Sequence, residues 1–448
     1  MRLLEDKIKR LFIEFLIPSI SGAMVLALYS FVDMIAIGQG VGVNGTASTA
    51  ITTPIVCLAS FLGLLVGMGG SVLYSKAKGE GNQTETNKAF TVSLIFMGLV
   101  IVIIWVLVLI FKFPIYRLLG GSDVLIPYID DYAGLTFWTY PFFILLPFLS
   151  CFLRNDDAPK LVMISTLVGA AINIFFDWFF VFPCGMGMFG ASLATSMGTA
   201  AQCFIMAMHF FSKKCTLKLV APGKLLSVFV RITKNGFGAG FSQLSLIIAT
   251  FIINKQIMKY AGETELAVYG IMLVLSQLFV GIFAGIGQAV QPIATTNYGA
   301  GYKDRCKEVF GLGMLTTMIC AVLFTLICEL FPIQVTELFV DATPEVLEAT
   351  PLITRIYGLS FLGMGAAVYI SMYLQSVMEA QKAAIISLTR GIFALAILLY
   401  LLPLLFDVMG IWVAIVAAEA IAALMAIFFT LFPRSQNNSY FCRHSKKR

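Results

Sequence analysis

The sequence predicts an all-α polytopic membrane protein, with twelve transmembrane helices in two parallel-repeat six-helix bundles around a central cavity. Two features of the composition support this class. Hydrophobic residues make up 59% of the 448 residues and charged residues only 12%, whereas a soluble domain carries about 25% charged residues. The hydrophobic residues are also gathered into long spans. A chain of this kind cannot hide its apolar surface from water, so the composition excludes a soluble protein.

The spans predict the individual helices, since about 20 apolar residues cross the roughly 30 Å of hydrocarbon in a bilayer. They cover 12–37, 50–75, 90–111, 128–152, 160–183 and 187–211, then 231–254, 266–297, 308–331, 350–378, 383–404 and 409–432. The longest polar connection runs from Ser212 to Leu225. We interpret it as the linker between an N-terminal lobe (1–220) and a C-terminal lobe (221–448).

The distribution of lysine and arginine predicts the orientation. With the N-terminus inside, the outer connections hold only Lys112, Arg117, Lys255 and Lys259. Positively charged loops stay in the cytoplasm, so we expect a multi-pass protein of the plasma (inner) membrane with both termini cytoplasmic. This bias also explains the net charge of +6, and we expect no nucleic-acid partner because no basic stripe with interleaved aromatic residues is present.

The cysteine and histidine content argues against two other kinds of site. The nine cysteines are scattered without a CxxC motif, and there are only two histidines. We therefore predict neither a disulfide framework nor a zinc site, and no bound cofactor. No feature of the sequence demands a dimer, and we expect a monomer in the lipid bilayer.

The two halves of the chain repeat. Gly67-Met-Gly69 matches Gly285-Ile-Gly287, and Gly79-Glu-Gly81 matches Gly299-Ala-Gly301, at offsets of 218 to 220 residues. Six spans per repeat is an even number, so both copies enter the membrane from the same side. The repeats are therefore expected to be parallel and related by an axis along the membrane normal.

Polar residues inside the N-terminal spans mark a candidate site. Asn173 and Asp177 are four residues apart in the fifth span, which places them on one face of a helix. Ionisable residues at this depth usually face a protein interior or a water-filled cavity and are functional. The alternative for Asp177 is a structural role, as a cap of the next helix or in a buried pair with an arginine.

Depth suggests that more residues join these two. At 1.5 Å per residue, Asp33 lies about 6 Å, Asp177 about 9 Å, Thr195 about 12 Å and Asn173 about 15 Å from the outer ends of their spans. These four residues could converge in one pocket. Tyr29, one turn inward from Asp33, and Tyr132, early in the fourth span, are further candidates for its lining.

Three motifs carry a resemblance to a known family. They are Pro18 with Tyr29 to Gly38 (YSFVDMIAIG), Gly285 to Gly301 (GIGQAVQPIATTNYGAG), and RNDDAPK at Arg154 with the following NIFFD and GASLAT. Together they make the chain resemble the multidrug and toxic compound extrusion (MATE) transporters, in particular the bacterial DinF-type branch. Asp157 stands where many members have glycine. The resemblance covers nearly the whole chain.

The resemblance implies two six-helix lobes around a V-shaped cavity and export of organic cations in exchange for H⁺ or Na⁺. It implies that Asp33, Asn173, Asp177 and Thr195 form the coupling-cation site, where Na⁺ is possible, and that the first helix bends at Pro18. Another branch carries an acidic residue in the seventh helix. The seventh span here has none, which puts a C-lobe site of that kind in doubt.

One further charge lies within a C-terminal span. Glu419 in the twelfth span and Arg390 in the eleventh fall at similar depth, and we expect them to form a structural ion pair. The sharper alternative is that Glu419 lines the cavity as a substrate carboxylate.

Three functions come into consideration for a chain with these features. The favoured one is a secondary antiporter, not an enzyme, that exports amphipathic organic cations. The alternative is a flippase for a lipid-linked saccharide or a similar lipid, whose cavity should be rich in arginine and lysine. An intramembrane aspartyl protease is disfavoured, because its Gly-x-Gly-Asp motif is absent. The sequence leaves the substrates and the choice between H⁺ and Na⁺ open.

Overall fold

The computed structural model describes residues 2–119, 123–222, 225–337 and 344–431. Within these ranges the chain is almost wholly helical and contains no strand. The first half holds α1 (Arg2–Glu5), α2 (Ile8–Gly40), α3 (Val43–Gly79), α4 (Gln83–Ile110), α5 (Lys112–Leu118), α6 (Ile126–Asn155), α7 (Pro159–Val181) and α8 (Gly187–Ala207). A 3₁₀ turn, Met208–Phe211, then leads into the linker.

The second half repeats this order. It holds α9 (Leu225–Tyr260), α10 (Glu263–Gly299), α11 (Lys303–Leu330), α12 (Pro332–Glu337), α13 (Pro344–Ser376), α14 (Ala380–Leu388), a π-helical turn (Thr389–Phe393), α15 (Ala394–Leu401) and α16 (Pro403–Leu431). Each of the twelve predicted spans is a helix, with α14, the π turn and α15 making one of them. Among the described residues, nine helices are long enough and apolar enough to cross a membrane, judged by length and composition. The short helices α1, α5 and α12 were not predicted.

The backbone confirms the internal repeat. Helices α3 and α10 both have 37 residues, and α4 and α11 both have 28. The turns between them match as well, because Gly42 and Gly262 have φ of 83° and 116°, and Gly81 and Gly301 have φ of 73° and 79°. Glycine adopts positive φ about as readily as negative φ, whereas other residues rarely do. The repeated glycines therefore mark turns of the same geometry in both halves.

We call the end of the bundle at which α2 begins the inner end, and the opposite end the outer end. The inner end is the one predicted to be cytoplasmic. The predicted cytoplasmic C-terminus, 432–448, lies outside the described residues, as does Lys224 of the linker. The orientation stays a prediction.

Two helices pack across the middle of the molecule. Leu11 and Phe15 in the inner part of α2 share a buried cluster with Ile286 and Ile293 of α10. In the same way, Ile232 near the start of α9 joins the large apolar cluster of the first half. At the inner end, each half thus contributes one helix segment to the core of the other. The predicted lobe boundary at residues 220 and 221 stays a prediction.

Candidate functional site

The structure brings Asp33, Asn173, Asp177 and Thr195 together. Helix α7 packs against both α2 and α8, so one residue of α2, two of α7 and one of α8 meet. The Asn173 amide donates from Nδ2 to Thr195 Oγ1 at 3.2 Å. The Asp33 carboxyl group lies within interaction range of Asp177 and Thr195, and Asp177 within range of Asn173. The convergence expected from depth is present.

Small residues allow this meeting. A Cβ atom on Gly198 of α8 would lie 2.7 Å from the carbonyl oxygen of Gly169 in α7, so the two backbones approach closely only because glycine stands there. This close packing buries the polar face of α7. Asn173 is 2% and Asp177 0% exposed.

The site contains more hydrogen-bond acceptors than donors. Asp33 Oδ1, Asn173 Oδ1 and both carboxylate oxygens of Asp177 are buried and accept no hydrogen bond from any described residue. The carboxyl groups of Asp33 and Asp177 lie within interaction range of each other. Leaving buried polar atoms unpaired is costly, so this set of four oxygens is suited to receive a proton or a hard cation, which prefers oxygen ligands.

The two predicted lining residues lie next to these oxygens. Tyr132 of α6 is within electrostatic range of Asp33, Asp177 and Tyr29, and it is 8% exposed. Its backbone carbonyl accepts a hydrogen bond of 2.6 Å from Ser192 of α8, which fixes α6 against α8. A narrow cleft that includes Tyr29 runs beside the site; its other lining residues are Gly169, Asn173, Thr195, Gly198, Thr199 and Gln202.

Pro18 lies in the interior of α2, where it is buried. Fifteen residues separate it from Asp33, which corresponds to about 22 Å along a helix. Pro18 does not touch the site. It lies between the inner part of α2, which packs in the core of the C-terminal half, and the outer part, which packs in the N-terminal half. A proline removes a backbone donor and favours a kink, so α2 has a weak point between the part held by α10 and the part that carries Asp33.

Glu419 does not join this site. Its two carboxylate oxygens are both 2.7 Å from Nε of Arg390. The side chains are 10% and 23% exposed, so this is a largely buried pair, and the expected ion pair between α16 and the π turn is present. The carboxylate is engaged within the C-terminal half.

The comparisons with known proteins agree with this architecture. The family model described as MatE matches residues 18–179 and, a second time, residues 239–401. The chain belongs to the MatE family. The double match gives each half its own copy of the family pattern, as the repeat requires. A chain of the MatE family is a membrane transporter and not an enzyme.

Individual relatives extend over nearly the whole MatE chain. The multidrug export protein MepA of Staphylococcus saprophyticus is 25% identical over 428 residues, which covers 94% of this chain and 93% of MepA. MepA of Staphylococcus aureus is 23% identical over 436 residues, with the same coverage.

Solved structures show the same fold. An outward-facing multidrug resistance MATE family transporter of the MOP superfamily has a TM-score of 0.89, and a MOP superfamily transporter from Pyrococcus furiosus has a TM-score of 0.88. Both are 20% identical, and each comparison covers 96% of both chains. The predicted DinF-type branch stays a prediction.

The sequence did not reveal a second polar cluster, which lies at the inner end of this MatE protein. Asp156, 3% exposed, accepts hydrogen bonds from Tyr74 at 2.8 Å, His209 at 2.8 Å and the backbone N–H of Thr216 at 2.9 Å. Thr216 Oγ1 donates to it as well, and the Lys78 ammonium lies 3.2 Å away. Since Thr216 belongs to the linker, Asp156 fastens the linker to the first half. We call this arrangement the linker clasp.

The clasp holds its carboxylate in the charged form. Burial by itself would raise the pKa of Asp156, but the hydrogen bond from His209, the charge of Lys78 and the bonds from Thr216 lower it to about 2. Cys215 brings a thiol within 4.8 Å of the Asp156 and His209 ligand atoms, a grouping that the spacing of the cysteines had not predicted. A metal ion is disfavoured there, because Asp156 already accepts a full set of hydrogen bonds and the ammonium group occupies its vicinity.

The structure gives a reason why Asp157 can stand where many family members have glycine. Asp157 has φ of 63°, the left-handed region in which glycine is favoured and aspartate is among the better tolerated alternatives. Its carboxylate is 2.8 Å from Arg2. The aspartate thus forms an ion pair with the first residue of α1, which glycine could not do.

Proposed function

We propose that the protein is a secondary active antiporter that exports amphipathic organic cations in exchange for H⁺ or Na⁺. The observation that carries the proposal is the set of four buried oxygens without donors on Asp33, Asn173 and Asp177, with Thr195 beside them. Relatives of similar length are described as multidrug export proteins, which supports small-molecule export.

Electrostatics supplies the coupling in this proposal. The carboxyl groups of Asp33 and Asp177 lie in a poorly solvated place within range of each other, so they repel one another when both are charged. An arriving proton or Na⁺ relieves the repulsion and draws α2 and α7 together. This gain is available only in the arrangement where the two helices meet, and a ligand shifts a conformational equilibrium only through such a difference.

Helix α2 is the element that transmits the change. Its outer part carries Asp33 and packs on α7, whereas its inner part is buried with α10 of the other half. A bend at Pro18, which lacks the backbone donor that would hold the helix straight, lets the outer part move while the inner part stays docked. The shape of the drug-binding space changes with it, and drug and coupling cation weaken each other's binding by the same factor.

The sign of the charge at the site favours cations as cargo. Both ionisable groups in the described N-terminal site are acidic, whereas the flippase alternative requires a cavity rich in arginine and lysine. Fold alone does not decide this point, because the Pyrococcus furiosus transporter of the same fold is described as having a binding pocket of reversed polarity that suggests a different function.

Export of a fluorescent lipophilic cation from vesicles tests the proposal. The purified protein is reconstituted, and a Na⁺ gradient and a pH gradient are imposed separately. We expect cation movement against its own gradient under at least one of the two, and none in vesicles without protein. Movement of an anionic lipid analogue, with no effect of either gradient on the cation, would overturn the antiporter proposal.

A further inference from the structure

The two halves touch backbone to backbone near the inner end. Where α3 crosses α9, a Cβ atom on Gly69 would lie 2.0 Å from the carbonyl oxygen of Ile232, and one on Gly236 would lie 1.7 Å from that of Leu65. Both distances are far below any real contact, so only glycine fits at these two positions. The crossing leaves no passage between α3 and α9 at this level.

A second crossing lies at the very ends of the repeated helices. A Cβ atom on Gly79 of α3 would lie 2.0 Å from the carbonyl oxygen of Thr296, and one on Gly299 of α10 would lie 2.1 Å from that of Lys76. Gly79 and Gly299 are equivalent positions of the internal repeat. The inner end is therefore closed by contacts that the two halves supply symmetrically.

A reciprocal pair of amides joins the halves at this closed end. Asn155 at the end of α6 donates from Nδ2 to Gln291 Oε1 at 3.1 Å, and Gln291 of α10 donates back from Nε2 to Asn155 Oδ1 at 3.3 Å. Ser75 of α3 donates to Asn155 Oδ1 at 2.5 Å, and Asn155 Nδ2 also reaches the carbonyl oxygen of Cys151 at 2.8 Å. Asn155 and Ser75 are 0% and Gln291 is 2% exposed.

The Asn155–Gln291 pair connects the two halves of the protein. The two amides come from the RNDDAPK and GIGQAVQP motifs, which lie 136 residues apart and belong to different halves. Within its own half, Asn155 is held by Ser75 and by the backbone of Cys151. Of the hydrogen bonds that Asn155 makes, only those with Gln291 cross between the halves, so these are the ones that break if α6 and α10 separate here.

We propose that the Asn155–Gln291 pair is the latch of an inner gate, which holds the protein closed at the inner end and must open for cargo to enter from that side. The glycine crossings make the closed surface tight, and the amide pair sets how often it opens. When the gate opens, water replaces the partner of each amide, so the latch biases the equilibrium without blocking it. Losing two such bonds changes an equilibrium by roughly 5- to 100-fold.

A native cysteine can report the opening. Cys151 is 4% exposed and is buried in a cluster with Met68, Val72 and Ala239. Since Ala239 belongs to α9, this thiol lies between the halves, one helical turn from Asn155. In a chain whose other cysteines are replaced, a soluble thiol reagent should modify Cys151 at a rate proportional to the fraction of time that the gate is open.

The test compares this rate in nanodiscs for several variants. Gln291→Leu should raise the rate at Cys151 by roughly 5- to 100-fold, whereas Gln256→Leu should leave it unchanged, because Gln256 is equally buried at 2% exposed but lies near the outer end of α9. The exchanged pair Asn155→Gln with Gln291→Asn keeps two facing amides of the same total length. It should bring the rate back towards that of the unaltered chain.

A second reporter separates gate opening from general loosening. Cys203 is 3% exposed in the apolar cluster of the first half, so a chain that retains only this cysteine should show no change on Gln291→Leu. An unchanged rate at Cys151 would overturn the latch, and so would an equal rise at both cysteines. Neither readout measures transport, so the outcome is independent of the proposed antiport.

Discussion

Neutralising Glu419 should destabilise the protein through the charge that it leaves behind. Arg390 Nε is 2.7 Å from both carboxylate oxygens, and the two side chains are 23% and 10% exposed. Removing one partner of a buried pair costs about 3–5 kcal/mol, because the other charge stays buried and unpaired. The partial exposure of Arg390 places Glu419→Gln at the low end, about 3 kcal/mol.

A variant that lacks both partners tests the same reasoning. Replacing both residues, with Arg390→Met and Glu419→Leu, removes the charge and its partner together, and such replacements are often neutral. The double variant should therefore be more stable than Glu419→Gln alone, because it leaves no buried charge without a partner.

The assay is thermal unfolding of the purified protein in detergent, with and without substrate. Glu308→Gln is the matched control, because Glu308 lies exposed on α11 of the same half. We expect a lower midpoint for Glu419→Gln under both conditions and no shift for the control. Unchanged stability together with lost substrate binding would refute the structural ion pair and make Glu419 a substrate carboxylate.

Two further predictions concern the inner end. A cysteine at Ser212 in the linker should resist an impermeant thiol reagent in intact cells that lack other accessible cysteines, and rapid labelling would reverse the predicted orientation. The linker clasp lowers the pKa of Asp156 to about 2. It therefore stabilises the folded state at pH values above the ordinary aspartate pKa of about 3.9. This contribution, about 2 kcal/mol, is lost as the pH falls towards 2. Denaturant unfolding between pH 5 and 2 should show that loss, and Asp156→Asn should remove this part of the pH dependence; an identical pH profile in the variant would contradict the assignment.

Much of the fold follows from features that the sequence displays directly. Apolar length predicts each transmembrane helix, and the constant offset between glycine motifs predicts the repeat. The site residues were also predictable, because a polar side chain such as Asp177 within an apolar span stands out, and its depth can be counted along the helix. The same counting paired Arg390 with Glu419.

The contacts between the halves could not be predicted in this way. Whether Asn155 faces Gln291 depends on how α6 and α10 are rotated about their axes and on how closely α3 approaches its neighbours, and neither is a property of one span. The linker clasp depends likewise on the path of the linker, which brings Thr216 into hydrogen-bonding distance of Asp156. The RND and QP residues were visible in the sequence only as marks of a family, without a physical partner.

The central claim is that Asp33 and Asp177 share the coupling cation, and transport by Asp177→Asn tests it most directly. The variant is reconstituted beside the unaltered chain and beside the control Asp130→Asn. The Asp130 carboxylate lies outside the site and pairs with Lys112, whose Nζ is 2.8 Å from Oδ1. With a Na⁺ or pH gradient imposed on the vesicles, we expect Asp177→Asn to be folded and inserted but to show no gradient-driven efflux of a fluorescent cation, while the control exports it. Full gradient-dependent efflux by Asp177→Asn would contradict the account.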